Sequence, residues 1–184
     1  MTANSATGRR GASVSNSGTA GSVLREPLAS EVAQLARIWY DGWQDAHARI
    51  LPAALARVRT LDSFAQRLAA ALPRVRVAAL PEGPVGFCLV EGDELNQLFV
   101  SAAARGSGVA AALVRDAEAR LWTSGVRLAW LSCAIGNERA ARFYEKSGWL
   151  RSAAVTEQLA VPTGSFALEV WRYEKRLQAP QPAA

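Results

Sequence analysis

The most distinctive chemical signal in the chain is RGSGVAAALV, Arg105 to Val114, where a cation and two glycines stand just before an alanine-rich helical run. Glycine is a poor helix former, so a pair of them between an apolar strand-like run and a helix implies a special backbone geometry and a close approach. The first N–H groups of a helix have no partner inside it and carry the positive end of its dipole, so such a turn can seat a phosphate. Two common phosphate chemistries fit poorly. GSGVAA, Gly106 to Ala111, satisfies the loose dinucleotide pattern GxGxxA. That site also wants an acid about 20 residues further on to hold a ribose, and Leu128, Ala129, Trp130 and Leu131 stand there instead. A nucleoside-triphosphate loop fails because no GK[ST] follows.

Other residue types invite chemistry without deciding it. His47, the single histidine, has the side chain whose ordinary pKa lies nearest neutrality, and it falls four residues after Trp43. On a helix the two would share a face, as a substrate wall or as packing. No Cys or His companion stands at ligand spacing, so no metal site is expected. Cys88 and Cys133 lie in apolar strand-like runs and read as buried free thiols, which suits a reducing cytoplasm. The acids Glu91, Asp93 and Glu94 cluster at a turn, and strand alternation would place Glu94, Asn96, Leu98 and Val100 on one face.

These residues need elements to hold them. A short first strand is expected at Val23 to Arg25, and SEVAQLARIWYDG, Ser30 to Gly42, spaces Val32, Leu35, Ala36, Trp39 and Tyr40 as one helix face with Ser30 as N-cap. WQDAHARILP reads as a second short helix or helical loop ending before Pro52, and DSFAQRLAAAL as a third helix starting near Asp62 and stopped by Pro73. Three strands follow, RVRVAAL, VGFCLVE and ELNQLFVS, the last two joined by a Gly-first hairpin at Gly92 and Asp93. VAAALVRDAEARLW then forms a helix with Leu113, Ala117 and Leu121 on one face, leading to the buried parallel strand VRLAWLSCAI in a right-handed unit. NERAARFYEKSGW is a helix with Asn137 as N-cap, a Glu138–Arg142 pair and Gly148 as a left-handed stop. Two more strands, about Trp149 to Val155 and Phe166 to Arg176, close the domain.

At 184 residues and 50% hydrophobic content, the chain suits one globular domain. Residues 1–22, rich in Ser, Thr, Gly, Ala and Asn, read as a disordered tail, as do residues 178–184. Arg9 and Arg10 are not followed by an apolar segment, so export is not expected, and no apolar run is long enough to span a membrane. The net charge of +5 allows a nucleic-acid partner. The arginines are scattered, at Arg49, Arg57, Arg59, Arg67, Arg74 and Arg76, without a basic stripe or interleaved aromatics, so none is expected. A homodimer stays open.

LFVSAAARGSGVA followed by NERAARFYEKSGW resembles the GNAT superfamily of N-acetyltransferases. The family pattern [QR]xxGx[GA] is matched by Arg105, Gly108 and Ala110, with Val100 at the strand end five residues before the arginine. A second signature is matched by Asn137, Ala140, Phe143, Tyr144, Gly148 and Trp149. The resemblance covers about Val23 to Leu177 and implies an α/β acyl-CoA N-acyltransferase fold, a mixed, mainly antiparallel sheet flanked by helices over residues 23–177. It implies acetyl-CoA as the acetyl donor, with the pyrophosphate on Arg105, Gly106, Ser107, Gly108, Val109 and Ala110. Pantetheine would lie against Leu98, Phe99 and Val100, with the Val100 N–H aimed at the thioester oxygen and Asn137 near the cofactor arm.

The resemblance also assigns proton chemistry. Tyr144 falls at the family's acid position, with Phe143 turned into the core, and Glu94 falls where many members carry a glutamate on the same strand; it reads equally as a hairpin-end charge. The acceptor would be a small primary amine, an amino-acid analogue or an aminoglycoside-like compound, with a protein N-terminus as a further candidate. Specificity would come from Trp43, Asp45, His47 and Arg49 opposite Thr156 to Ser165. A non-catalytic CoA-binding module is the rival; it would need neither Tyr144 nor Glu94.

Overall fold

The computed structural model describes residues 21–161 and 164–180. Seven strands, β1 (Val23–Arg25), β2 (Val75–Leu80), β3 (Gly83–Glu91), β4 (Glu94–Val100), β5 (Leu128–Ala134), β6 (Leu150–Val161) and β7 (Gly164–Arg176), form one sheet in the order β1-β2-β3-β4-β5-β7-β6. All neighbours are antiparallel except β4 and β5, which run parallel at its centre. Five α-helices flank it: α1 (Val32–His47), α2 (Ala53–Val58), α3 (Leu61–Ala71), α4 (Val109–Thr123) and α5 (Glu138–Lys146).

The sheet is apolar on both faces, which is why VGFCLV carries no polar alternation. In β3 the period-two geometry sends Phe87 and Leu89 into a cluster with Leu35, Trp39, Phe64 and Leu68 of α1 and α3. Cys88 goes the other way, into a cluster with Leu113, Ala117 and Leu121 of α4, Leu131 of β5, Trp149 and Tyr173. Both cysteines are buried free thiols. At the β3–β4 hairpin Gly92 has φ of 60° and Asp93 keeps an ordinary negative φ, as a Gly-first turn of the II′ kind requires.

The helical expectations shift at three places. The first helix does not stop at Gly42 but continues through His47, absorbing the first half of the segment read as a separate helix, because the extra turn buries Trp43; residues 48–50 are turn. Gly42 permits this: a Cβ there would lie 2.7 Å from the Phe99 ring of β4, so only glycine lets helix and strand approach so closely. Ser30 is not its cap. It lies in a 3₁₀ turn, Ala29–Glu31, fastened by the Glu31 carboxylate, which accepts from Arg25 at 2.6 and 2.9 Å and from the Leu28 N–H at 2.8 Å. The short α2, opened by Pro52, was not foreseen, and α3 is capped by Thr60, whose hydroxyl accepts from the Ser63 N–H at 3.2 Å.

The last hairpin is longer than its sequence signal, running to Val161 and resuming at Gly164. The extension is held by Leu159, Val161, Phe166 and Leu168, which pack against the α1–α3 core. On α5 the arginine that forms an ion pair is Arg139, not Arg142. No described helix is long and apolar enough to cross a membrane. Of the proposed tails, residues 1–20 and 181–184 lie outside the described residues, and 178–180 carry no regular structure.

Candidate active site

β4 and β5 pair only at Glu94 and Trp130, where the Trp130 N–H donates to the Asp93 carbonyl at 3.2 Å. Beyond that point the strands part, and a cavity of about 480 Å³ opens between Gln97–Val100 on one side and Ser132–Ala134 on the other. The β3–β4 register fixes what β4 presents to this cleft. The Ser101 backbone N–H donates to the Val85 carbonyl at 2.8 Å, so in an antiparallel ladder the backbone groups of Phe99 and Ser101 face β3 while those of Leu98 and Val100 turn towards β5. The cleft therefore carries backbone donors and acceptors that the sheet does not use.

At the open end, β4 leads through a 3₁₀ turn, Ala102–Ala104, into the glycine turn and α4. Gly106 and Gly108 have φ of 78° and 86°, and Gly108 is the N-cap residue in the left-handed region. That conformation costs other residues about 1–2 kcal/mol. Arg105, Gly106, Gly108, Val109 and Ala110 line the cavity. Ser107 is not on its wall; its hydroxyl donates to the Ala104 carbonyl at 2.6 Å and stiffens the turn. Arg105 is paired with Asp45 of α1 at 2.8 Å, and Arg139 of α5 reaches the same carboxylate at 3.0 Å. Arg139 first and Arg105 second hold the Asp45 carboxyl below its usual range. Asn137 lines the cavity while its Oδ1 caps α5, accepting from the Ala140 N–H at 3.2 Å.

Tyr144 projects from α5 onto the cavity wall beside Phe143, its ring 6.5 Å from Trp149 and 6.1 Å from Tyr173. Burial raises its phenol well above the usual value, so it stays protonated through the neutral range. Glu94 is placed differently from its expectation. Leu89 opposes Gln97 and Val90 opposes Leu95, which leaves Asn96 as the extra residue of a β-bulge. Leu95 and Leu98 consequently both face the α4 core, and Glu94 turns to the α1 side, away from the face of Leu98 and Val100.

Glu94 does not line the cavity. A polar line joins them instead: Gln97 Nε2, on the wall, donates to Asn96 Oδ1 at 3.0 Å, and Asn96 Nδ2 donates to Glu94 Oε2 at 2.8 Å. Burial, reinforced by Glu157, Glu91 and Asp93 against the Asn96 donation, raises the Glu94 carboxyl to about 7.

His47 lines the cavity and donates from Nδ1 to the Trp43 carbonyl at 3.1 Å, leaving Nε2 as the lone-pair nitrogen. Burial lowers its pKa, so the ring is neutral at physiological pH. Trp43 packs in the α1–α3 core, 6.1 Å from Phe64, and is not on the cavity wall. Arg139 and Ser132 are wall residues that the motifs did not single out. Ser132 donates to Glu157 of β6. The one signal for Ser132 was a hydroxyl inside the otherwise apolar LAWLSCAI.

The central parallel strands of the sheet splay, and a glycine turn and a helix N-terminus stand at the mouth of the gap. Residues 34–149 match the Acetyltransferase (GNAT) family, and the chain belongs to that family. A comparison with curated proteins finds no match. Among solved structures, the fold is similar to a GCN5-related N-acetyltransferase from Rhodopseudomonas palustris, with a TM-score of 0.69 and 21% identity over 89% of this chain and 100% of that one. It is similar to PaiA N-acetyltransferase from Thermoplasma acidophilum in complex with coenzyme A, with a TM-score of 0.69 and 15% identity over 85% of this chain and 99% of that one. YncA from Salmonella typhimurium, solved with its cofactor acetyl-CoA, has a TM-score of 0.62 and 13% identity over 90% of this chain and 99% of that one.

Proposed function

We propose that the protein transfers the acetyl group of acetyl-CoA to a primary amine by direct attack in a ternary complex. The observation that carries this reading is the cleft between β4 and β5, with the glycine turn at its mouth and Tyr144 along its wall. The pyrophosphate would take the N–H groups of the Gly106–Ala110 turn and the charge of Arg105. Pantetheine would run along Leu98–Val100, adding hydrogen bonds where β5 makes none. The Val100 N–H would stabilise the charge that develops on the thioester oxygen.

An alkylamine arrives mostly as the ammonium at neutral pH and must lose two protons to become an amide, while the leaving sulfur gains one. Tyr144, kept protonated by burial, supplies the sulfur. Glu94, raised to about 7 and displaced from the wall by the bulge, takes a proton through an intervening water. The cleft of about 480 Å³, with His47 on its wall, favours a small-molecule amine over a folded protein. The buried thiols Cys88 and Cys133 suit the cytoplasm.

The test is release of free CoA from acetyl-CoA with a panel of amines, followed by Tyr144→Phe with the best acceptor. CoA affinity should survive and kcat should fall by about 10²- to 10⁴-fold. A Tyr144→Phe variant as fast as the parent would remove the acid assignment. A parent that binds acetyl-CoA but acetylates no amine would establish a binding module instead.

A further inference from the structure

The β5 wall of the cleft offers one hydroxyl. Ser132 lines the cavity, and its Oγ donates to Glu157 Oε1. Ser132 stands opposite Arg172 and Glu157 opposite Leu168, and Leu168 packs on the α1–α3 core. The two side chains therefore lie on the α1 side of the sheet, the side to which the bulge turns Glu94. The Glu94 line to the cleft runs through Asn96 and Gln97, two amides whose N–H groups donate towards the carboxylate. Amides can orient a carboxylate but pass a proton poorly. A hydroxyl can accept a proton and release its own, and because Ser132 gives its hydrogen to Glu157, its lone pairs are free for a donor in the cleft.

We propose that Glu157, acting through the Ser132 hydroxyl, takes up the first proton of the acceptor ammonium. This rests on the reading of the protein as an amine acetyltransferase. As an ammonium N–H bond breaks, Ser132 Oγ takes that proton and passes its own to Glu157 Oε1. Ser132 is regenerated, Glu157 becomes a neutral acid and the nitrogen holds its lone pair. The C–N bond then forms and the C–S bond breaks with its electron pair on sulfur, which takes the Tyr144 proton. The second nitrogen proton leaves through water to Glu94, and solvent restores Tyr144 and both carboxylates. Glu94 of β4 lies within electrostatic reach of Glu157, and of Glu91 and Asp93 at the hairpin. From β7, Arg172 is paired with Glu174 at 2.9 Å and lies 4.2 Å from the Trp130 ring of β5.

The test is kcat/KM for the acceptor against pH in the parent, Glu157→Gln, Ser132→Ala, their double variant and Glu157→Asp, with acetyl-CoA affinity measured by calorimetry. Glu157→Gln should bind acetyl-CoA as the parent does, yet lose about 10²-fold in kcat/KM near pH 7. The loss should shrink as pH approaches the amine pKa of about 10, where free amine needs no deprotonation. Ser132→Ala should lose as much, the double variant no more, and Glu157→Asp should recover part. A loss of equal size at every pH, or none, overturns the relay while leaving acetyl transfer intact. A parent inactive with every amine overturns both readings.

Discussion

Glu94 shows how one inserted residue changes a carboxylate. Without the Asn96 bulge, alternation would set it on the α4 face with Leu98; with the bulge it sits on the α1 side, partly buried among Glu91, Asp93 and Glu157. Its folded pKa of about 7 lies above the ordinary 4.5, so its contribution to stability is complete below 4.5 and is lost as pH rises through 7. A glutamine does not titrate. The melting temperature of Glu94→Gln should therefore gain on that of the parent as pH rises from about 4.5 to about 8. Thermal unfolding followed by circular dichroism measures the gap, and a gap that stays constant with pH would mean the carboxyl ionises as it does in water. Asp45 behaves oppositely: its lowered pKa stabilises above its ordinary 3.8 and ceases to do so as pH falls.

Among the elements, the glycine turn at the head of α4 is the one whose local sequence dictates its shape. Gly108→Val would place a β-branched residue at φ 86°, straining the N-cap and, on the proposed function, putting a side chain where the pyrophosphate would approach. CoA affinity should fall at least about tenfold while the far-ultraviolet spectrum of the fold persists. Unchanged affinity in a folded variant would place the pyrophosphate elsewhere. This turn was readable because its determinants are adjacent in sequence, as were Asn137 at the α5 cap, Gly148 at its end and the Gly92 hairpin. The parts not readable depend on partners far along the chain. α1 overruns Gly42 because Trp43 finds the Phe64 cluster, and β6 overruns Val155 because Leu159 and Val161 meet α1 and α3. The bulge needs β3 as its ruler, and Ser132 meets Glu157 only after β7 has inserted between their strands.

At the scale of the molecule, the sheet separates two cores, α1 and α3 on one side and α4 and α5 on the other, and the cleft opens where its two halves part. Across the mouth, Asp45 of the first side holds Arg105 and Arg139 of the second. On the proposed function these are cations that a pyrophosphate would want, so coenzyme binding exchanges a carboxylate for a phosphate. An exposed ion pair of this kind contributes at most about 1 kcal/mol. Asp45→Asn should thus tighten CoA by about two- to fivefold at low salt, with the gain fading as salt screens the pair. The melting temperature at neutral pH should move little, since the side chain is half exposed. Calorimetric titration of both proteins with CoA at two ionic strengths decides the point. Weaker binding by Asp45→Asn would mean that Asp45 aims Arg105 at the phosphates, so that the first helix helps to build the cofactor site instead of competing for it.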